Sequence, residues 1–191
     1  CCLPSVCGTA ADRMEDKLMA FEYPILDWFQ SLHTPLLSAL AVFFDKAGAH
    51  GEIWIVFAVL LLIFPRTRKA GCAMAASLLL YLIVGDFCLK PFFSRPRPCD
   101  VNPDMLTLVS RPSGWSFPSG HSASAFAAAA SLVFQKNRLG PYAVALAVFI
   151  GLSRLYLYVH YPTDVLAGAL IGTALGYAAS RLVDAAAKKL Q

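Results

Sequence analysis

The chain has 191 residues, 58% of them hydrophobic and 15% charged, against roughly 45–50% apolar residues in ordinary soluble domains. So little charge cannot cover a water-soluble globule of this length, and one compact helical domain embedded in a bilayer fits instead. A net charge of +4, from 16 Lys+Arg against 12 Asp+Glu, gives no case for nucleic acid without a basic stripe on a soluble face.

The first thirty residues form a segment of their own. Cys1, Cys2 and Cys7 open it, and no basic region followed by a continuous apolar stretch marks it as a secretory signal. Met14, Leu18 and Phe21 then fall at i, i+4 and i+7 among Arg13, Glu15, Asp16 and Lys17, with Tyr23 and Trp28 following. That pattern predicts an amphipathic helix lying at the membrane interface. Residues 31–191 form the membrane domain, which begins with residues 35–44, a short apolar stretch ahead of Asp45 and Lys46 that reads as a tilted span or a re-entrant segment. Residues 53–64 are an unbroken apolar run extended outward by His50 and Glu52. Residues 70–89 are long enough to cross a hydrocarbon core of about 30 Å at about 1.5 Å per residue. Residues 119–135, rich in Ala and Ser, suit a helix packed closely inside a bundle. Residues 140–159 and 164–182 complete the set, each with its charge near an end. The expected fold is all-α: a bundle of about six transmembrane helices with an interfacial helix before it. Cys72 and Cys88 sit inside apolar runs as small hydrophobes, and no Cys-x-x-Cys pair or zinc spacing involves them or Cys99.

Basic residues orient this bundle. Arg66, Arg68 and Lys69, then Lys136 and Arg138, then Lys188 and Lys189 all fall on one side if the spans number six. The positive-inside rule makes that side cytoplasmic. The loop 90–118 on the opposite side nevertheless carries Lys90, Arg95, Arg97 and Arg111, which calls for a reason other than topology.

Three segments share that outer side: Lys90 through Pro98, Pro118-Ser119-Gly120-His121, and Ser153-Arg154 through His160 to Asp164. Together they supply what a phosphoryl group needs. Arginine forks match phosphate oxygens, a lysine adds a point charge, and Ser-Gly at a helix start offers backbone N–H groups to an anion. His160 and Asp164, four apart, share one face if the last helix begins near residue 160. The carboxylate would then hold one imidazole nitrogen protonated and turn the other on phosphorus, while His121 on another helix would protonate the departing oxygen. Arg154 lies within an apolar run, where an ionised group is a functional signal by default. Arg95 and Arg111 stay undecided between headgroup contact and solvation. His33 and His50 match no part of the pattern, and Tyr156, Tyr158 and Tyr161 read as interfacial anchors.

The three segments, Lys-x6-Arg-Pro, Pro-Ser-Gly-His and Ser-Arg-x5-His-x3-Asp, resemble in order the signature of the type 2 phosphatidic acid phosphatase superfamily, in its small bacterial membrane branch. The resemblance extends over about residues 32–180. It implies that His160 becomes phosphorylated with Asp164 as its partner, that His121 is the general acid, and that Lys90, Arg97, Ser119, Gly120 and Arg154 bind phosphate. It also implies catalysis without a metal or other cofactor, on a lipid phosphate in the bilayer. The site would face the outside of the cytoplasmic membrane.

The favoured substrate is undecaprenyl diphosphate, with phosphatidylglycerol phosphate and phosphatidic acid as alternatives. A lipid phosphotransferase would use the same phosphohistidine and pass phosphate to an alcohol. An intramembrane serine protease would need a Gly-x-Ser-x-Gly style elbow, and Phe117 precedes Ser119 by two residues. An anion-binding transporter is the non-enzyme alternative, though no internal repeat supports it. Vanadate-dependent haloperoxidases, related in signature, are disfavoured because this chain lacks a large soluble part. Oligomeric state is not legible.

Overall fold

The computed structural model describes residues 10–48 and 51–189, and side chains from residue 19 onward. The features placed on Cys1, Cys2, Cys7, Met14, Leu18 and His50 lie outside the residues or side chains described. The described residues form helices and no strand. Helix α1 is Ala10–Ser31, α2 Pro35–Gly48, α3 Glu52–Ile63 and α4 Arg68–Tyr81. A π-helical segment, Leu82–Leu89, continues α4 into the short α5, Lys90–Phe93. After α6, Pro98–Val101, come α7 Gly120–Phe134, α8 Gly140–Tyr156 and α9 Pro162–Lys189.

Two stretches, Arg68–Val101 and Pro162–Lys189, are long and apolar enough to cross a membrane. Helices α2 and α3 qualify only as a pair, bent by 56° at a short break. Helices α7 and α8 are apolar but shorter, at 15 and 17 residues. At one end of this bundle Lys69 Nζ lies 2.6 Å from Asp184 Oδ1, which also accepts a 3.1 Å hydrogen bond from Gln135 Nε2. That contact gathers the start of α4, the end of α7 and the late turns of α9. The other end holds Asp45, Lys90, His121, Arg154 and Asp164.

Polarity runs opposite to that of a soluble bundle. Large apolar side chains, among them Val59, Ile63, Leu79, Phe87, Phe149 and Leu170, face outward, while Ala123, Ala125, Ala127, Ala128 and Ala129 of α7 are fully buried. Between helices in lipid there is little hydrophobic gain to be had, so close backbone approach through small residues supplies the packing. Gly168, Gly172 and Gly176 repeat at i, i+4 and i+8 and turn one face of α9 onto α7. A Cβ at Gly172 would lie 2.2 Å from the carbonyl oxygen of Ala123, and one at Gly176 would lie 2.5 Å from that of Ala127.

Helix α1 docks by a mixed face that carries one buried acid. Glu22 and Leu26 are buried and Tyr23 and Phe29 pack inward, while Phe21 and Trp28 stand exposed and point away from the bundle. Tyr156, Tyr158 and Tyr161 are buried rather than interfacial. The reason is α1 and the link that follows it: Tyr23 packs edge-on to Tyr161 with ring centroids 6.0 Å apart, and Gln30 Nε2 and, just past the helix, His33 Nε2 lie 3.2 and 3.1 Å from the Tyr156 carbonyl oxygen.

Replacing Gly172 by Ala pushes a methyl into the α7 backbone, and overpacking of this kind costs about 1–3 kcal/mol. At about 2–4 °C per kcal/mol for a chain of this size, the melting temperature in detergent is expected to fall by about 5 °C. An unchanged Tm would show that α7 and α9 can part freely.

Candidate active site

The turn between α8 and α9 delivers the central histidine. After Tyr156 the chain reverses through Tyr158, whose φ of 59° lies in the left-handed region, a conformation that costs a non-glycine residue about 1–2 kcal/mol. Burial of the Tyr158 ring and a 3.1 Å hydrogen bond from Asn102 Nδ2 to its hydroxyl hold it there. His160 follows, and Pro162 opens α9. His160 and Asp164 are therefore not two positions on one helical face, as their spacing suggested. Proline at the first helical position starts the helix two residues later, and Asp164 reaches back over the helix N-terminus instead.

Asp164 is fully buried and both of its oxygens are hydrogen-bonded. Oδ1 accepts from Arg95 Nη1 at 2.7 Å. Oδ2 accepts from the Ser116 hydroxyl at 2.5 Å and from the Tyr161 backbone N–H at 3.0 Å, and lies 3.6 Å from His160 Nδ1. On the other side of the imidazole, Arg97 Nη1 sits 2.9 Å from His160 Nε2. A guanidinium can only donate, so Nε2 is the acceptor and the ring proton belongs on Nδ1, facing Asp164 and Ser116. His160 lies in the turn between α8 and α9, and burial, reinforced by the positive charges of Arg97 and Arg154, lowers its pKa to about 4 against the pull of Asp164. The imidazole is neutral at pH 7, with its lone pair on the nitrogen beside Arg97.

Arg97 is held as firmly. Its Nε donates to Gly114 O at 3.0 Å and its Nη1 also to Val159 O at 3.1 Å. Lys90 emerges from the π-helical segment and pairs with Asp86 at 2.6 Å, while the Tyr81 hydroxyl donates to the same carboxylate oxygen at 3.3 Å. A Cβ at Gly120 would lie 3.3 Å from Lys90 Nζ, which sets that ammonium at the start of α7. Arg154, fully buried at the end of α8, bonds through Nη1 to Asp45 Oδ1, and His121 Nε2 lies 3.7 Å from the same oxygen. His121 Nε2 and Arg154 Nε are buried with no protein hydrogen-bond partner.

Lys90, Arg97, Gly120, His121, Arg154 and His160 line one cavity of about 700 Å³, together with Asp45 and Asp86. Six of the eight residues singled out from the sequence thus meet around one space. Asp164 stands behind His160. Ser119 is buried behind the wall; its hydroxyl accepts from Ser122 at 3.1 Å and its N–H donates to Asp164 O at 3.1 Å. Of the two undecided arginines, Arg95 is drawn inward to Asp164, whereas Arg111 donates to Pro103 O at 2.7 Å on the surface. Sequence reasoning missed Asp45, Asp86, Ser116 and Glu22. For Asp45 a signal existed: a carboxylate closing an apolar run on the side that carries the motifs. Among the described residues, no three His, Cys, Asp or Glu side chains converge to hold a metal ion.

The PAP2 superfamily model matches residues 70–188, which include all three motif segments. The chain belongs to the PAP2 superfamily. Among its PAP2 relatives, it is 35% identical over 143 residues to an undecaprenyl-diphosphatase of Sulfolobus acidocaldarius, covering 74% of this chain and 68% of that one. It is 32% identical over 173 residues to a lipid A 4'-phosphatase of Bacteroides thetaiotaomicron, covering 83% and 75% respectively. The crystal structure of Aquifex aeolicus LpxE superposes with a TM-score of 0.68 at 29% identity, covering 84% of this chain and 95% of that one. Asp45 and the whole of α1 lie outside the PAP2 match.

Asp45→Ala leaves the Arg154 guanidinium buried without its carboxylate. Breaking a buried pair from one side costs about 3–5 kcal/mol, and about 2 kcal/mol is expected here because Asp45 keeps some solvent contact. The variant should melt several degrees lower and turn over at least about tenfold more slowly. Turnover equal to wild type would show that the pair is incidental to the site.

Proposed function

We propose that this membrane protein is a lipid phosphate-ester hydrolase that removes the terminal phosphate through a phosphohistidine at His160 Nε2, with undecaprenyl diphosphate as the favoured substrate. One observation carries the reading: a neutral, buried imidazole at the wall of a cavity that Lys90, Arg97 and Arg154 also line has its lone pair on Nε2, capped only by the Arg97 guanidinium. The same cavity is bordered by Ile55, Leu78, Leu79 and Leu82, of which Ile55, Leu79 and Leu82 are exposed on the apolar exterior. A lipid can therefore present its phosphate from the bilayer while its tail stays in hydrocarbon. The similarity to an undecaprenyl-diphosphatase favours a polyprenyl diphosphate. Similarity to a lipid A 4'-phosphatase favours, as second reading, a phosphate monoester on another lipid.

In the proposed reaction, the substrate's terminal phosphate displaces Arg97 from Nε2 and takes up its donors, together with Lys90, Arg154 and the backbone at Gly120. The Nε2 lone pair forms a bond to phosphorus as the bond to the bridging oxygen breaks, and His121 gives that oxygen a proton. Water then attacks phosphorus, His121 accepts its proton, and the electron pair of the P–N bond returns to Nε2. Positive charge that builds on the His160 ring during phosphorylation is balanced by Asp164, while the cations stabilise the transferring phosphoryl. The basic clusters Arg66, Arg68 and Lys69 and Lys136 and Arg138 occupy the end of the bundle away from this site, which supports a cytoplasmic placement for them and an extracytoplasmic one for the cavity.

The purified protein in detergent, assayed in EDTA for free phosphate, should prefer polyprenyl diphosphates over phosphatidylglycerol phosphate, phosphatidic acid and lipid A. His160→Ala should lose turnover together with the acid-labile phosphoenzyme. Full activity in that variant, or activity that appears only with added magnesium, would overturn the mechanism. The pH profile is a separate check. The folded-state pKa of His160 is depressed, so its neutral, nucleophilic form persists to low pH and is lost only as pH falls through about 4. The acid limb of kcat/KM should therefore lie well below the ordinary histidine value of about 6.5, and a limb at or above that value would contradict the assignment.

A further inference from the structure

We infer that Glu22 of α1 is a positioning residue for the Asp164–His160 pair, so that the N-terminal helix is part of the catalytic unit. The inference rests on the reading of His160 as the nucleophile. Glu22 is fully buried although it sits on a helix whose Phe21 is exposed. Its carboxylate accepts from Arg95 Nη2, from the Thr163 hydroxyl, and at 3.2 Å from the Thr163 backbone N–H. Arg95 reaches from Glu22 to Asp164: its Nη1 donates to Asp164 Oδ1 at 2.7 Å and to Thr163 Oγ1 at 2.9 Å. The guanidinium lies 3.9 Å from the centroid of the Tyr161 ring, and the Arg95 carbonyl accepts from the N–H of Ser116 at 2.8 Å. Glu22 thus ties α1 to the first turn of α9 and to the loop after α5, whose Arg95 carbonyl in turn holds Ser116.

The charge count explains why a second carboxylate is there. Arg95 alone against Asp164 makes a neutral pair, and an imidazolium formed at His160 would face no net countercharge. Shared between Glu22 and Asp164, one guanidinium leaves a single negative charge on the cluster, on the side of His160 Nδ1. That charge has most to do when the ring carries phosphate and turns positive. Glu22 touches neither the cavity nor the reacting atoms, so its effect is on the rate of phosphoenzyme formation and not on the binding of the phosphate group. Burying a carboxylate without pairing is costly, and here Oε1 of Glu22 takes both Thr163 donors while Oε2 takes Arg95 Nη2, so two segments that carry site residues pair it. The residue lies 48 positions before the start of the PAP2 match at residue 70.

Glu22→Gln keeps the shape and removes the charge. With farnesyl diphosphate as probe, kcat is expected to fall about tenfold or more while KM stays within about twofold, because Lys90, Arg97 and Arg154 are untouched. The steady-state fraction of phosphoenzyme should fall with kcat, and the melting temperature should stay within a few degrees of wild type. Glu22→Asp, which keeps the charge, should recover kcat to within about threefold. Wild-type kcat in Glu22→Gln, or a loss in both variants that tracks only the unfolded fraction, would overturn the inference. His160→Ala measured in parallel distinguishes the two levels: turnover in that variant sinks the reading of the nucleophile, whereas wild-type turnover in Glu22→Gln with a dead His160→Ala sinks only the role of Glu22.

Discussion

Everything at the site hangs on satisfying one buried carboxylate. A charged group taken out of water must be paired and hydrogen-bonded on every lone pair or it destabilises the fold. Asp164 meets that demand with donors from distant parts of the chain: Arg95 from the loop after α5, Ser116 from the loop before α7, and the backbone of Tyr161 in its own turn. Each donor brings its segment to the same point, and His160 is set by what remains. The imidazole fills the gap between Asp164 and Arg97, and its tautomer follows because arginine cannot accept a hydrogen bond.

The bundle beneath is built so that such a point can exist. Small residues on α7 and α9 bring their backbones close, which fixes the heights of Gly120 and Asp164 relative to each other; the N–H of Ser119 bonds directly to the carbonyl of Asp164. Gly48 serves a similar purpose on α2, where a Cβ would come within 2.9 Å of the His121 ring. Many large apolar side chains are spent on the outer surface, so precision between α7 and α9 depends on backbone proximity and hydrogen bonds.

Much of this was legible before any coordinates. Lys90, Arg97, His121, Arg154 and His160 were readable because charge inside an apolar chain is scarce and must be explained where it occurs. The helical spans were readable from apolar run length. Glu22 was not, since acids between apolar residues are ordinary on an interfacial helix, and only docking shows which of them turns inward. Asp45 read as the polar end of a span because a flanking carboxylate and a site carboxylate look alike in one dimension. The π-helical segment leaves the apolar pattern of residues 82–89 unchanged, so the shift it imposes on Asp86 and Lys90 has no sequence signal. Ser119 shows the reverse: the motif was present, yet local geometry turns its hydroxyl to Ser122.

The pairing of the cations bears on how a turnover ends. Lys90 is held by Asp86 and Arg154 by Asp45, while Arg97 has only carbonyl groups and an imidazole. Three positive charges against two lining carboxylates leave an excess of one, which under the proposed function would draw in a phosphate ester whose lipid tail adds to binding. Free inorganic phosphate has no tail, and it must compete with Asp86 and Asp45 for the same donors. In the proposed reaction the carboxylates that organise the site would therefore also act as internal rivals of the product and favour its escape.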